Sequence, residues 1–337
     1  MKKMFEQLKT ILEQKENAVL VTVVASSGST PRGAGARMLV TQAGRIYGTI
    51  GGGEVEHRAE QLAQRALAEK HSRTELFRLY RNQVQDLGMV CGGEVTVYFH
   101  YIAEGDRTLL SLVERALELF RCGEESWLVT NITPGGTSAL SLYGKTRGVL
   151  GSPFPDEVLE RITSAPAQID AGGDIYYIEP LLRAGIVYIF GGGHVSQALV
   201  PALAAVDFRC RVLEDRADFC NPSLFPGVER TVFLQSQEDW NTLSIGKKDY
   251  ICIMTRGHKD DLACEAFALR TPARYIGVIG SRKKTASVNA KLKEMGFTGC
   301  DLDRITTPIG LDIGAQTPAE IAVSIAAQLI QVRAAKI

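Results

Sequence analysis

Apolar residues fall at helical spacing from the start of the chain. Phe5, Leu8, Ile11 and Leu12 share one face, which predicts a helix over Lys3–Lys15. Ala18–Ala25 is β-branched and apolar nearly throughout, the pattern of a strand covered on both faces. A loop over Ser26–Gly33 leads to an expected hairpin, Ala36–Thr41 and Arg45–Ile50, around Gly44. Gly51, Gly52 and Gly53 then open a helix expected over Glu54–Lys70. Val95, Val97 and Phe99 alternate with Thr96, Tyr98 and His100, so Glu94–Tyr101 reads as a half-exposed strand. Residues 104–183 carry less signal: a helix over Arg107–Phe120, strands at Trp127–Ile132 and Ala139–Tyr143, and a Pro/Gly-rich stretch around Gly151–Pro155. Gly172-Gly173 and Leu181–Gly185 read as the approach to a domain boundary.

From Gly185 the pattern becomes alternating strand and helix. Strands are expected at Ile186–Phe190, Arg209–Leu213, Tyr250–Met254 and Tyr275–Ile279, with helices near 194–206, 260–269 and 282–295. Such alternation predicts a parallel, doubly wound sheet with right-handed crossovers. Thr317-Pro318-Ala319-Glu320 has the form of a capping box with proline in the first turn, so a last helix starts there with Ile321, Ile325 and Leu329 on one face. No internal repeat is apparent. The expected fold class is therefore α/β: an N-terminal mixed α/β domain over 1–183, poorly defined from 104, and a C-terminal Rossmann-like parallel-sheet domain over 184–337.

Composition narrows the functions. The chain has 337 residues, and 38 Lys+Arg balance 38 Asp+Glu. No basic excess supports nonspecific binding to nucleic acid or to an anionic membrane. No apolar run approaches a membrane span, and Met1–Glu6 turns charged too soon for a signal peptide. Seven cysteines (91, 122, 210, 220, 252, 264 and 300) show no C-x-x-C spacing, so a reducing cytoplasm is expected rather than a disulfide framework or a zinc ribbon.

Several loops are candidates for chemistry. Gly191, Gly193 and Ser196 form G-x-G-x-x-S between a strand and a helix, with His194 inside it. Asp215 ends the next strand, where a ribose-binding acid belongs, with Arg216 beside it. The loop serves either NAD(P) or another ligand, and Pro201 is expected to kink the helix that follows. Gly280, Ser281, Arg282, Lys283 and Lys284 follow another strand as an anion site at a helix start. His258 lies in a third strand-end loop, Met254–Asp261. Asp312 stands between Gly310 and Gly314 and is costly to bury without a partner. In the N-terminal half, Gly28–Arg32 and Gly51–Glu54 are backbone-donor loops, the second another anion site. Cys91 precedes two glycines that favour an accessible sulfur, against the usual reading of a packed thiol.

Taken together, these residues resemble the XdhC/CoxI family of molybdenum-hydroxylase maturation factors. The resemblance runs through Val21–Val24, Gly28–Arg32, Gly35–Val40, Gly48–Gly53 and Cys91–Gly93, then Phe190–Val195, Asp215-Arg216, Thr255–His258, Tyr275–Lys283 and Pro308–Ala315. It implies a cytoplasmic, homodimeric chaperone, rather than an enzyme, that binds molybdenum cofactor, protects its sulfurated form and delivers it to a xanthine-dehydrogenase-type hydroxylase. A cysteine desulfurase is a further partner on that view. The cofactor's phosphate suits Gly280–Lys284 or Gly191–Gly193, its amino-pyrimidinone edge suits Asp215 or Asp312, and its metal suits Cys91. Two departures stand out: Glu54 occupies a position where some relatives have cysteine, and Ser196 one where glycine is commoner. The competing expectation is an NAD(P)-dependent oxidoreductase, although no Tyr-x-x-x-Lys pair follows the glycine loop.

Overall fold

The structure is a computed structural model. It describes all residues except 80–92, 137, 164, 183–184, 257, 281 and 336–337, and omits the side chains of 258–260 and 282–284. The chain divides into two compact units, Met1–Arg183 and Ala184–Ile337.

The first unit opens with α1 (Lys2–Glu13), β1 (Ala18–Gly28), β2 (Arg37–Thr41), β3 (Gly44–Thr49), α2 (Gly53–Glu69), β4 (Arg73–Arg78) and β5 (Gly93–Ile102). These strands form an antiparallel sheet in the order β3-β2-β1-β5-β4. The chain then runs through α3 (Arg107–Cys122), β6 (Ser126–Asn131), β7 (Ala139–Gly144), β8 (Gly148–Gly151), α4 (Asp156–Glu160), β9 (Ala167–Ala171) and β10 (Asp174–Leu182). This second antiparallel sheet has the order β8-β7-β6-β10-β9. Helix, three strands, helix and two strands thus occur twice, with the same strand order and pairing. The unit is a structural repeat, contrary to the reading of the sequence. Only fragments such as Leu20-Val21-Thr22 and Leu128-Val129-Thr130 betray it, because the copies differ in length: α2 has 17 residues and α4 has 5.

The repeat also corrects the expectations for 104–183. Gly172 and Gly173, both at positive φ, are the turn of the β9–β10 hairpin, and the chain divides after Arg183, inside the Leu181–Gly185 stretch. Strands β4, β8, β9 and β10 had no clear period in the sequence. The leading helices α1 and α3 pack in one core with apolar residues of both sheets, so the two copies share their interior.

Because the registers match, residues of the copies can be equated. Leu20 pairs with His100 and Leu128 with Glu179; Thr22 pairs with Tyr98 and Thr130 with Tyr177. On the other side, Leu20 opposes Leu39 and Leu128 opposes Leu142, which makes Ser138 the counterpart of Gly35. Each Tyr reaches across to the other copy. The Tyr98 hydroxyl donates to Ser138 Oγ at 2.6 Å, and Ser138 also bonds His100 Nδ1. At the equivalent place Tyr177 and Glu179 face Gly35, where an added Cβ would lie 3.7 Å from the Tyr177 hydroxyl and 3.5 Å from Glu179 Oε2. Lacking the serine, the Tyr177 hydroxyl has no partner among the described residues, while Glu179 pairs with buried Arg37. This junction covers the second face of β5, so Tyr98 and His100 are buried and the strand is not half-exposed.

The second unit holds β11 (Ile186–Phe190), α5 (His194–Ala205), β12 (Arg209–Glu214), β13 (Arg230–Phe233), β14 (Tyr250–Ile253), α6 (His258–Arg270), β15 (Tyr275–Val278), α7 (Arg282–Glu294), α8 (Gly299–Leu302), β16 (Ile305–Thr306) and α9 (Pro318–Ala334). All six strands are parallel, in the order β13-β12-β11-β14-β15-β16. Helices α5 and α9 cover one face of the sheet, α6 and α7 the other. This is the doubly wound Rossmann order, whose direction reverses between β11 and β14. Helix α5 runs through Pro201 to Ala205.

Candidate functional site

Ligands of open α/β sheets bind beyond the carboxyl ends of the strands, where the strand order reverses. A cavity of about 350 Å³ lies there, built from the ends of β11, β12 and β14 and from residues 234–240. Gly191, at φ +103°, makes the first turn possible, since a Cβ there would sit 2.5 Å from the Met254 carbonyl oxygen. At Gly193 a Cβ would meet nothing within 4 Å, so the start of α5 is open to the cavity. The first amides of that helix have no intrahelical acceptor and form a natural anion seat. Phe190, Phe219, Leu234 and Trp240 supply an apolar wall, and Trp240 stands edge-on to Phe190 at 5.8 Å.

The glycine loop is locked from below. Ser196 Oγ donates to the Gly191 carbonyl at 2.5 Å, and Gln197 Nε2 donates to that of Gly192 at 3.1 Å. The loop's central amide, Gly192 N–H, donates to Glu214 Oε2 at 2.6 Å. Glu214 also takes the Arg216 guanidinium at 2.7 and 2.8 Å and the amides of Asp215 and Arg216. Burial opposes its charge, but the bonds from Arg216, Asp215 and Gly192 prevail and hold its carboxyl down at about 2. Arg216, fixed in this way, places its Cζ over the Phe219 ring, 3.8 Å from the centroid.

The acid that ends the strand is therefore Glu214, one residue before the one expected. Asp215 is largely exposed, with 62% of its side chain open to solvent. Its carboxyl is raised by hydrogen bonding to Glu214, by partial burial and by Glu214's charge. Glu214 receives five N–H donors and is not available to grip a ribose diol.

Of the residues singled out in the sequence, Gly191, Gly193, His194, Asp215 and Arg216 meet in this cavity. Gly280 ends the β15 loop and lies outside it; Ser281 and the side chains of Arg282 and Lys283 lie outside the described residues. His258 begins α6, its side chain likewise undescribed. Asp312 is exposed in the loop after β16 and therefore needs no buried partner. Cys91 lies outside the described residues. The Gly51–Gly53 loop does not offer a vacant anion seat: Glu56 of its own helix accepts from the amides of Ile50 and Gly52 at 2.9 and 3.1 Å. Sequence reasoning passed over Glu214 and Trp240, which also line the cavity, and singled out the loop of Thr255 and Arg256 without giving either residue a role. For Glu214 the available signal was its place as the last residue of an apolar strand.

Two family profiles match the chain: the XdhC and CoxI family over residues 11–79 and the XdhC Rossmann domain over residues 187–329. The chain belongs to the XdhC and CoxI family. Its Rossmann match contains every residue that lines the cavity, whereas the N-terminal match falls within the first structural repeat and leaves the second outside. A probable xanthine dehydrogenase subunit of Bacillus subtilis is 28% identical over 97% of this chain and 96% of its own. The molybdenum cofactor insertion chaperone PaoD of Escherichia coli is 23% identical over 94% of this chain and 84% of its own. A crystal structure described as a xanthine dehydrogenase from Bacillus halodurans superposes with a TM-score of 0.78, at 26% identity, covering 97% of this chain and 95% of that one. Among the described residues no helix is long and apolar enough to cross a membrane, and no group of three or more His, Cys, Asp or Glu is placed to hold a metal.

Proposed function

We propose that this protein binds molybdenum cofactor in the cavity beyond β11 and β14 and passes it to a xanthine-dehydrogenase-type hydroxylase. The observation that carries this reading is the Glu214–Arg216 lock beside an otherwise well-formed glycine loop. The buried acid at the strand end, a position that serves ribose in dinucleotide enzymes, is spent here on holding the loop, which leaves only the solvent-exposed Asp215 for that task, while the anion seat and the apolar wall stay open. A pterin phosphate suits the α5 amides with Arg256 nearby, and the heterocycle suits the wall of Phe190, Phe219 and Trp240. The molybdenum is cargo, and Cys91 is the thiolate we assign to it, since a soft ligand suits that metal. Protection of a sulfurated form, a homodimeric state and a cysteine desulfurase partner belong to the same reading.

The test is the ligand carried through purification from molybdenum-replete cells, identified by absorbance and mass. A phosphorylated pterin is expected, retained by the wild type and lost when Gly193→Leu fills the seat. The Rossmann strand order favours the second reading, an NAD(P) enzyme. Calorimetry finding micromolar NAD(H) or NADP(H) binding, abolished by the same substitution, would establish it instead.

A further inference from the structure

The buried part of the cavity is rich in donors and poor in free acceptors: Asp215, Gln235, Ser236 and Gln237 also line it, but all four are exposed to solvent. Backbone carbonyls around the glycine loop are already engaged: Phe190 accepts from Met254 N at 2.8 Å, Leu213 from Gly191 N at 2.8 Å and Glu214 from Leu234 N at 3.0 Å. The Gly191 and Gly192 carbonyls are held by Ser196 and Gln197, and the Glu214 carboxylate by its five donors. Against these stand the α5 amides, Arg216 and Arg256.

Thr255 differs. It lines the cavity from the end of β14, and its hydroxyl donates to Asp261 Oδ1, a carboxylate in the first turn of α6 that is 0% exposed. A threonine hydroxyl has one proton and two lone pairs. With the proton committed to a buried carboxylate, its oxygen offers the cavity lone pairs only. We infer that Thr255 is the specificity-determining acceptor of the cavity and selects heterocycles that present an amino group over those presenting a carbonyl at the same place. This rests on the cavity being the pterin site proposed above. An N–H donor there is satisfied by Thr255, whereas a carbonyl faces lone pairs and remains unpaired, the situation in which a buried site discriminates most strongly.

Two probes of nearly equal size separate the possibilities: 2-amino-4-oxopteridine and its 2,4-dioxo analogue, titrated by calorimetry against the intact chain. The wild type is expected to prefer the amino compound by about tenfold or more. Thr255→Val, which keeps the shape and removes the oxygen, is expected to bind both alike, and Thr255→Ser to restore the preference. Equal binding of both by the wild type, or an undiminished preference in Thr255→Val, overturns the role of Thr255. Binding of neither pteridine by the wild type overturns the cavity as a pterin site, a separate outcome.

Discussion

Two adjacent carboxylates, Glu214 and Asp215, show how much one position matters. Their side chains are 1% and 62% exposed, and only the first holds the glycine loop. Replacing a charged acceptor by a neutral one typically costs about 2 kcal/mol when the donors stay buried. Glu214→Gln is therefore expected to lower stability by about that amount in urea denaturation and to weaken ligand retention, because the Gly192 amide loses its anchor. Asp215→Ala is expected to leave stability unchanged. Equal effects of the two would show that the lock does not govern the loop. In the sequence the pair was legible as an acid at a strand end, but not which of the two is buried. That choice depends on where the strand's alternation stops, and Arg216 settles it by folding back onto Glu214.

Elements were legible where a period ran long enough. The strands β11, β12, β14 and β15 are short apolar runs flanked by glycine or polar loops, and α9 carries its own start signal, a Thr317–Glu320 box with Pro318 in the first turn. Strands β4 and β8 were hidden because they are edge strands with little buried surface to impose an apolar period, and β10 because one face is covered by the other copy, where Tyr177 packs with Val24 and Tyr98. The helix ends of the Rossmann unit were hidden too: Arg333 caps α5 through the Val206 carbonyl, Arg304 binds the Leu269 and Thr271 carbonyls after α6, and Arg274 binds Val332 and Ala335 at α9. Each cation comes from a distant element and suits the negative end of a helix. Between the two N-terminal copies, Tyr98 and Tyr177 occupy equivalent positions with unequal partners. Tyr98→Phe is expected to cost about 1 kcal/mol through the lost bond to Ser138. Tyr177→Phe is expected to be neutral, and a loss equal to that of Tyr98→Phe in the same urea titration would mean that its hydroxyl is satisfied after all.

On the scale of the molecule, a formal charge of zero removes any large repulsive contribution at neutral pH. Response to acid then depends on individual groups. Burial lowers the His100 imidazole from 6.5 to about 4, against a weaker upward pull from Asp106. The unfolded chain takes up this proton first as pH falls, so stability declines from about 6.5 down to about 4 and the contribution is gone below that. The difference corresponds to about 3 kcal/mol. Urea midpoints across that window should fall for the wild type and fall less for His100→Gln, whose side chain does not titrate; parallel curves would assign the acid response elsewhere. Glu214 acts lower, because its stabilisation is present above 4.5 and disappears only as pH drops through about 2.

Because α1 and α3 share one core, the first unit is held together by more than its backbone. Residues Ala103–Asp106 are the link between the two copies, and an exposed loop at Glu104-Gly105 carries it. A protease cutting there would sever the chain without opening any sheet, and the two fragments would remain clasped by helices that each need the other's apolar face. One copy alone, with half of that interior bare, would have to find a twin. A single chain here takes the place of a pair of protomers.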